Sequence, residues 1–430
     1  MNVVIINKSD STGGAAIVSR RLMEALRAQN VDAHMLVVEK LSDSPYITKV
    51  SSRLAVAESF LSERLKIFIA NGFNKDTLFK IDTASDGLPL WNHPLVKEAD
   101  AILLNWVNQG MLSLNGIKKI IALGKPVIWT MHDMWCMTGI CHHAGKCTHF
   151  TKQCGDCHLL GKRAAPNDLS FKIWHKKKDL YDFCQIYRPY KFRLAFVAVS
   201  NWLANKCRVS SLLDKADISV IPNAFNLIEY NSKRKELKKD KRIRILFGAA
   251  RIDDPIKGLP MLGEMSRILA KDSNVASRLD IVTFGNIKNP ESMPDFGIPH
   301  THIGVVKGED NLRKIYDDSD IVVSASSYET LPGTLVEAQA YGCIPVSFNQ
   351  GGQADIISHL ATGYLADYSN DLHEGGKRLA NGVKWAVEIL SNDDMNEKIR
   401  ERMFNNVVEK FSYTSVARKY INLIERLRHK

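Results

Sequence analysis

Residues 320–348 read DIVVSASSYETLPGTLVEAQAYGCIPVSF. Two short β-branched runs, DIVVSAS and CIPVSF, flank GTLVEAQAYG, whose apolar residues recur at helical spacing. Pro332 and Gly333 suit the opening of that helix. Strand, loop, helix and strand in this order form the unit from which parallel sheets are built, and such sheets carry their ligands outside the carboxyl ends of their strands. Glu329 and Glu337 therefore stand where chemistry is expected, one in the loop and one about a turn inside the helix.

The same rhythm runs outward in both directions. RIRILFGAA, RLDIVTFG and THIGVV read as further strands of the second half, and NVVIIN, DAHMLVV, AILLNWV, KPVIWTMHD and FRLAFVAVS as strands of the first. Between the first two lies GAAIVSRRLMEALRAQ, a helical pattern opening on Gly13 and Gly14. With 430 residues the chain is too long for one ordinary core. The grammar predicts an α/β chain of two doubly wound domains: residues 1–225, a basic linker at 226–242, and residues 243–410. The amphipathic segment 411–430 is expected to return to the first domain.

Composition is that of a globular protein, with 45% hydrophobic and 24% charged residues. The amino terminus reads as a strand and not as a signal, and no apolar run approaches the roughly eighteen residues of a membrane span. A cytoplasmic protein is the expectation. The net charge of +11 is concentrated: residues 162–244 hold 20 Lys and Arg against 8 Asp and Glu, leaving the rest near neutrality. Within this belt, WHKKKDLY and SKRKELKKDKRIR read as a solvated face and an exposed connector, or as a surface that meets anionic phosphates.

After the strand RIRILFGAA comes RIDDPIKGL, which puts Arg251 and Lys257 on one strand-to-helix loop. A planar fork and a point charge suit a diphosphate; the plain alternative is ion pairing with Asp253 or Asp254. The amides of Gly333, Thr334 and Leu335 at a helix start are a ready phosphate site, and Glu337 behind them suits a pair of hydroxyls such as those of a ribose. A capped surface helix is the plain alternative.

Taken together, the Glu329-x7-Glu337 spacing, Arg251 and Lys257, VSNWLANK followed by ISVIPNAFN, GGQADII, and TGYLA make the chain resemble a retaining glycosyltransferase of family 4 over nearly its full length. The resemblance implies the GT-B fold, two Rossmann-like domains facing across a cleft. It implies that Arg251 and Lys257 hold the donor diphosphate, that Glu337 holds the ribose, and that Glu329 and His132 attend the donor sugar. Gly13 and Gly14 match the loop that closes on the phosphates. Many members have E-G-F-G where this chain reads Glu329, Thr330, Leu331 and Pro332, so the individual contacts differ. A sugar would pass from a UDP- or GDP-type donor to an acceptor hydroxyl, with the diphosphate charge stabilised by protein groups and no metal needed for catalysis. The implied setting is capsule, exopolysaccharide or O-antigen assembly on a lipid-linked acceptor, with residues 162–244 resting on the anionic inner face of the membrane.

One stretch is left over. TMHDMWCMTGICHHAGKCTHFTKQCGDCHLL, residues 130–160, begins with the TMHD that holds His132 and continues with five cysteines. Cys141, Cys147, Cys154 and Cys157 suit one structural zinc, a staple for a loop without its own core, with His142, His143, His149 or His158 as substitutes for a sulfur. Unligated thiols or a disulfide are the alternatives. Cys136 is the spare, and Cys184, Cys207 and Cys343 read as plain buried residues. Two rival functions remain. A nucleic-acid-binding protein would use the basic belt and the cysteine cluster, but no base-stacking or helix-turn-helix pattern supports it and no nucleic-acid partner is expected. A GT-B sugar-nucleotide epimerase or phosphorylase would share the donor site.

Overall fold

The computed structural model describes residues 1–50, 53–184, 193–227 and 242–429. The expected linker at 226–242 falls mostly outside them. Two compact units result: Met1–Phe225 with Tyr413–Lys430, and Asn226–Ser412.

Unit 1 is built on a seven-stranded sheet of β1 (Asn2–Ile6), β2 (Asp32–Val37), β3 (Ile47–Lys49), β4 (Ala101–Leu104), β5 (Val127–Met131), β6 (Leu194–Ala198) and β7 (Ile218–Val220). Its order is β3-β2-β1-β4-β5-β6-β7, with parallel pairing throughout, and Ile5 sits level with Met35 and Leu103. Chain order reverses at β1 and β4, which makes the end of β1 a topological switch point. The strands β4, β5 and β6 are buried at every position, as strands covered on both faces must be. Helix α1 (Gly14–Arg27) follows β1 directly and buries Ala16, Ser19, Leu22, Met23 and Leu26 along one face. Helix α2 (Arg53–Ala70) lies between β3 and β4. The last helix, Tyr413–Arg428, adds Val416, Tyr420, Leu423 and Ile424 to the core that holds Val3 and Ile5. Its Tyr420 hydroxyl meets Thr130 Oγ1 at 2.9 Å, and Tyr413 donates to Glu24 Oε2 at 2.6 Å.

Unit 2 has six parallel strands: β8 (Ile243–Arg251), β9 (Leu279–Asn286), β10 (His300–His302), β11 (Ile321–Ser324), β12 (Ile344–Phe348) and β13 (Tyr364–Ala366). They run in the order β10-β9-β8-β11-β12-β13, again with a reversal, between β8 and β11. One correction to the sequence reading concerns THIGVV. The strand there is only His300–His302, and Ile303 and Val305 are exposed beyond it. An edge strand with one neighbour gains too little to extend further.

Candidate active site

In unit 2, three loops at the carboxyl ends of β8, β11 and β12 are stitched together, and glycines make the stitching possible. Gly258 has φ +75°, and a side chain there would meet the Ala325 carbonyl at 2.1 Å, so only glycine lets the loop after β8 lie against the end of β11. Ser327 N donates to Ile256 O across the same seam at 2.9 Å. A Cβ on Gly351 would lie 2.2 Å from Glu329 O, and Gly352 N donates to that carbonyl at 2.9 Å. The loop after β12 therefore closes on Glu329 from the other side.

The result is a contact between residues 72 apart. Lys257 Nζ lies 2.5 Å from Glu329 Oε1, which also accepts from Ser326 Oγ at 3.0 Å. Both side chains keep some solvent contact, 31% for Lys257 and 19% for Glu329. Arg251 closes the end of β8 and pairs with Asp253 at 3.3 Å and Asp254 at 3.5 Å, the ion-pair alternative of the sequence reading. Gly333, Thr334 and Leu335 open the helix Gly333–Ala340, whose start has no side-chain cap. Glu337, one turn in, is buried and accepts from the Tyr316 hydroxyl at 3.1 Å.

Gln353 escaped the sequence reading. It is fully buried with neither amide atom hydrogen-bonded among the described residues, and its Oε1 would lie 2.8 Å from a Cβ on Gly351. A polar residue inside GGQADII was the available signal.

In unit 1, Gly13 and Gly14 rim a cavity of about 370 Å³ at the switch point, with Lys8, Thr12, Trp106 and Gln109 in its wall. Lys8 Nζ donates to Gln109 O at 3.0 Å, and Gln109 is held at φ +54°, a left-handed conformation uncommon for a side-chain-bearing residue. His132 follows β5 and lines a separate, water-sized space with Thr130, Asn105 and Tyr420. Burial pulls its pKa down to about 4 against the pull of Asp133, so the ring is neutral at physiological pH. Gly13, Gly14 and His132 belong to unit 1, and the other expected donor residues to unit 2.

What links His132 to the cavity is its neighbour. Asp133 Oδ2 accepts from Trp106 Nε1 at 3.2 Å and meets His142 Nδ1 at 2.7 Å, while His142 Nε2 meets Asp82 Oδ2 at 2.6 Å. Asp82 in turn pairs with the buried Arg64. Burial disfavours a charged His142, yet the two carboxylates outweigh it and raise the pKa well above the usual histidine range. Both ring nitrogens are thereby occupied, so His142 is not available to replace a sulfur on a metal. His149 Nδ1 lies 2.8 Å from Gly155 O.

The four clustered cysteines carry free thiols close enough to influence one another electrostatically. Burial pushes Cys141 up to about 12 and Cys154 up to about 11. Gly139 N donates to Cys154 Sγ at 3.2 Å. Among the described residues, no three His, Cys, Asp or Glu side chains are arranged to hold a metal ion. A second correction concerns WHKKKDLY, read as a solvated face. Lys177 is fully buried, donates to Trp135 O at 2.6 Å and Thr138 O at 3.0 Å, and lies 3.3 Å from the Trp135 ring centroid. It ties down the start of the cysteine-rich loop from the helix Leu169–Asp182.

Residues 230–403 match the family described as Glycosyl transferases group 1. The match covers less than half of the chain. Parts of the chain are also similar to curated proteins. An uncharacterised glycosyltransferase of Methanocaldococcus jannaschii is 30% identical over 130 residues, which is 30% of this chain and 31% of that protein. Glycogen synthase of Pseudomonas putida is 27% identical over 36% of this chain and 31% of its own length. The chain thus spans about a third of these two relatives. The poly(ribitol-phosphate) alpha-N-acetylglucosaminyltransferase of Staphylococcus aureus is 24% identical over 49% of this chain and 41% of its own.

Solved structures cover far more of the chain. A glycosyltransferase from Rickettsia africae superposes with a TM-score of 0.62 at 14% identity, over 99% of this chain and 98% of its own. Anabaena HepE in complex with UDP-glucose gives 0.59 at 12% identity, over the full length of both. WaaG, a glycosyltransferase involved in lipopolysaccharide biosynthesis, gives 0.59 at 10% identity over 98% of this chain and 99% of its own. At such identities the likeness speaks to fold alone, and the fold is GT-B with two Rossmann-like domains.

Proposed function

We propose that the chain is a retaining, metal-independent glycosyltransferase that moves a sugar from a UDP- or GDP-type donor to an acceptor hydroxyl. The observation that carries this reading is the Lys257–Glu329 pair, held by three loops at the carboxyl ends of β8, β11 and β12, in the unit that carries Glu337 just inside the helix Gly333–Ala340. A part-exposed lysine can exchange its carboxylate partner for a diphosphate. Glu329 is then released to hold the sugar's hydroxyls, and Glu337 takes the ribose. The diphosphate leaves as an anion, so Lys257, Arg251 and the amides of Gly333, Thr334 and Leu335 lower the barrier by stabilising charge as it develops. The acceptor oxygen bonds to the anomeric carbon on the face the diphosphate vacates and passes its proton to the departing phosphate oxygen, which retains configuration, with neutral His132 accepting or donating a hydrogen bond at the sugar.

On this reading, unit 1 serves the acceptor, and Gly13 and Gly14 approach the phosphates. The acceptor we propose is a lipid-linked saccharide of capsule, exopolysaccharide or O-antigen assembly, at the inner face of a membrane, with the basic belt 162–244 on anionic lipid. Among the described residues no helix is long and apolar enough to cross a bilayer. The names of a polymer-modifying relative and of a lipopolysaccharide enzyme among the solved neighbours agree with such a setting. For the cysteine loop we propose a zinc that draws the four thiols together. Metal analysis of the purified protein is then expected to find one zinc per chain, lost on Cys154→Ser; a metal-free wild-type protein removes the staple and leaves the catalytic reading intact.

The deciding experiment is thermal melting with UDP, GDP, ADP and their sugar conjugates, beside Glu337→Ala. One nucleotide should raise the melting temperature of the wild type only, since a ligand that binds the folded state alone stabilises it. No response to any nucleotide at millimolar concentration would overturn the donor assignment.

A further inference from the structure

Helix α2 has two unlike faces. Inward, the fully buried Glu63 accepts from the amides of Ala84 at 2.7 Å, Thr83 at 3.1 Å and Gly110 at 2.7 Å, and Ser59 Oγ donates to Gly110 O at 2.7 Å. Phe60 lies 4.7 Å beneath the Lys8 amine. These contacts make α2 the support of the cavity wall at Lys8 and Gln109.

Outward, the helix is apolar where a water-facing helix is polar. Leu54, Leu61, Leu65 and Ile69 are 83%, 63%, 59% and 53% exposed. At 100° per residue these four fall within an arc of about 80°, with the exposed Glu58 as the one charge inside it. Phe73 and Phe79, 60% and 58% exposed, extend the apolar surface past the helix end, where Arg64 donates to Leu78 O at 2.7 Å and holds that turn against α2. Scattered exposed leucines need no explanation, but four aligned on one helix face, with two exposed phenylalanines beyond its end, do.

Charge decides what the face meets. The exposed cations around its carboxyl end are Lys66, Lys75, Lys80 and, at the start of the basic belt, Lys162 and Arg163. Arg163 lies across Gly72, with its Cγ 3.3 Å from a Cβ built there. The exposed acids nearby are Glu58 and Asp76, and Asp86 is taken up by Lys66 at 2.7 Å. In a twofold pairing of this face with itself, apolar contact would come with like charges set against one another. On a nucleic acid the apolar stripe would have no partner. Apolar side chains beside a surplus of lysine and arginine match the acyl boundary and headgroups of an anionic bilayer.

We propose that the outer face of α2, with the turn through Phe79, docks this protein on an anionic membrane. Leu54, Leu61, Leu65 and Ile69 enter the headgroup boundary, and Lys75, Lys80 and Arg163 meet the lipid phosphates. Docking by this face brings the α2-supported cavity to the leaflet; that consequence rests on the acceptor reading above, whereas docking itself does not.

The test is co-sedimentation of the full chain with vesicles of phosphatidylcholine alone and of phosphatidylcholine mixed with phosphatidylglycerol. Binding is expected only with the anionic lipid, weakening as salt rises. Leu61→Gln with Leu65→Gln should lower the partition coefficient about tenfold or more, as should Lys75→Glu with Lys80→Glu, an independent variant on exposed side chains. Lys398→Glu with Arg402→Glu, exposed side chains outside the basic belt, should change it by less than about twofold. Three results overturn the proposal: no preference for anionic vesicles, Leu61 and Leu65 variants that bind like the wild type, or a lipid-free dimer that those substitutions dissociate. Melting with nucleotides runs alongside. Vesicle binding without a nucleotide response leaves the docking face standing and removes the transferase reading, and the reverse removes only the docking face.

Discussion

Unit 1 and unit 2 are built on the same parallel architecture, yet they treat charge in opposite ways. In unit 2 the central pair, Lys257 and Glu329, is part-exposed and held by loops. In unit 1, Arg64, Asp82, His142 and Asp133 form a chain of ionic contacts under the cavity, with Asp82 wholly buried. An exposed ion pair contributes little to stability and gives up a partner at small cost, whereas removing one member of a buried pair strands the other without water. The charge pair in unit 2 can therefore change partners at small cost, and the charges in unit 1 hold loops in position.

His142→Gln is the strongest test of that contrast, because it removes the cation shared by the wholly buried Asp82 and the part-buried Asp133, leaving Arg64 on the first and the Trp106 and Trp135 N–H groups on the second. A loss of about 3–5 kcal/mol is expected at neutral pH, read by chemical denaturation. The pH dependence has a definite sign. The pKa of His142 is raised from 6.5 to about 10 in the folded chain, so its contribution is complete below about pH 6.5 and fades as pH rises through 10. The gap between wild type and variant should narrow along the same course; a gap that widens with pH would show that this ring is not the charged member of the network.

Lys257→Gln probes the other side. Transfer from the donor should fall about 100-fold while the unfolding free energy stays within about 1 kcal/mol of wild type. An equal loss in both quantities would place Lys257 with the structural charges and erase the distinction between the units. The smallest effect is expected at the join of the last helix. Tyr420→Phe removes one hydroxyl contact to Thr130 and should cost about 1 kcal/mol, measured by denaturation.

The fold was legible because its signal is local. Alternation of β-branched runs with helical spacing needs no knowledge of distant contacts, and the strands of both sheets follow it except at short edges such as β3, β7 and β13. Glu329 and Glu337 were conspicuous for a related reason: their spacing is fixed by one turn and one helix. Residues whose meaning depends on distant partners were not legible. His142 looked like a spare ligand among cysteines until Asp82, 60 positions earlier, was found on its second nitrogen. Lys177 sat in a lysine run, and composition has no means of marking which of three consecutive lysines turns inward. The apolar stripe of α2 drew no reading in sequence, because periodicity reports that a face exists and not what covers it.

The last helix carries one more implication, for synthesis. Val416, Tyr420, Leu423 and Ile424 fill the core around β1, the earliest strand of its sheet in chain order. A ribosome that has delivered all seven strands of that sheet, and then the whole of the second unit, still holds back the piece that closes the first one. The half of the protein that begins first is completed last, so a nascent chain stalled anywhere before residue 413 exposes an open hydrophobic seam to chaperones and proteases.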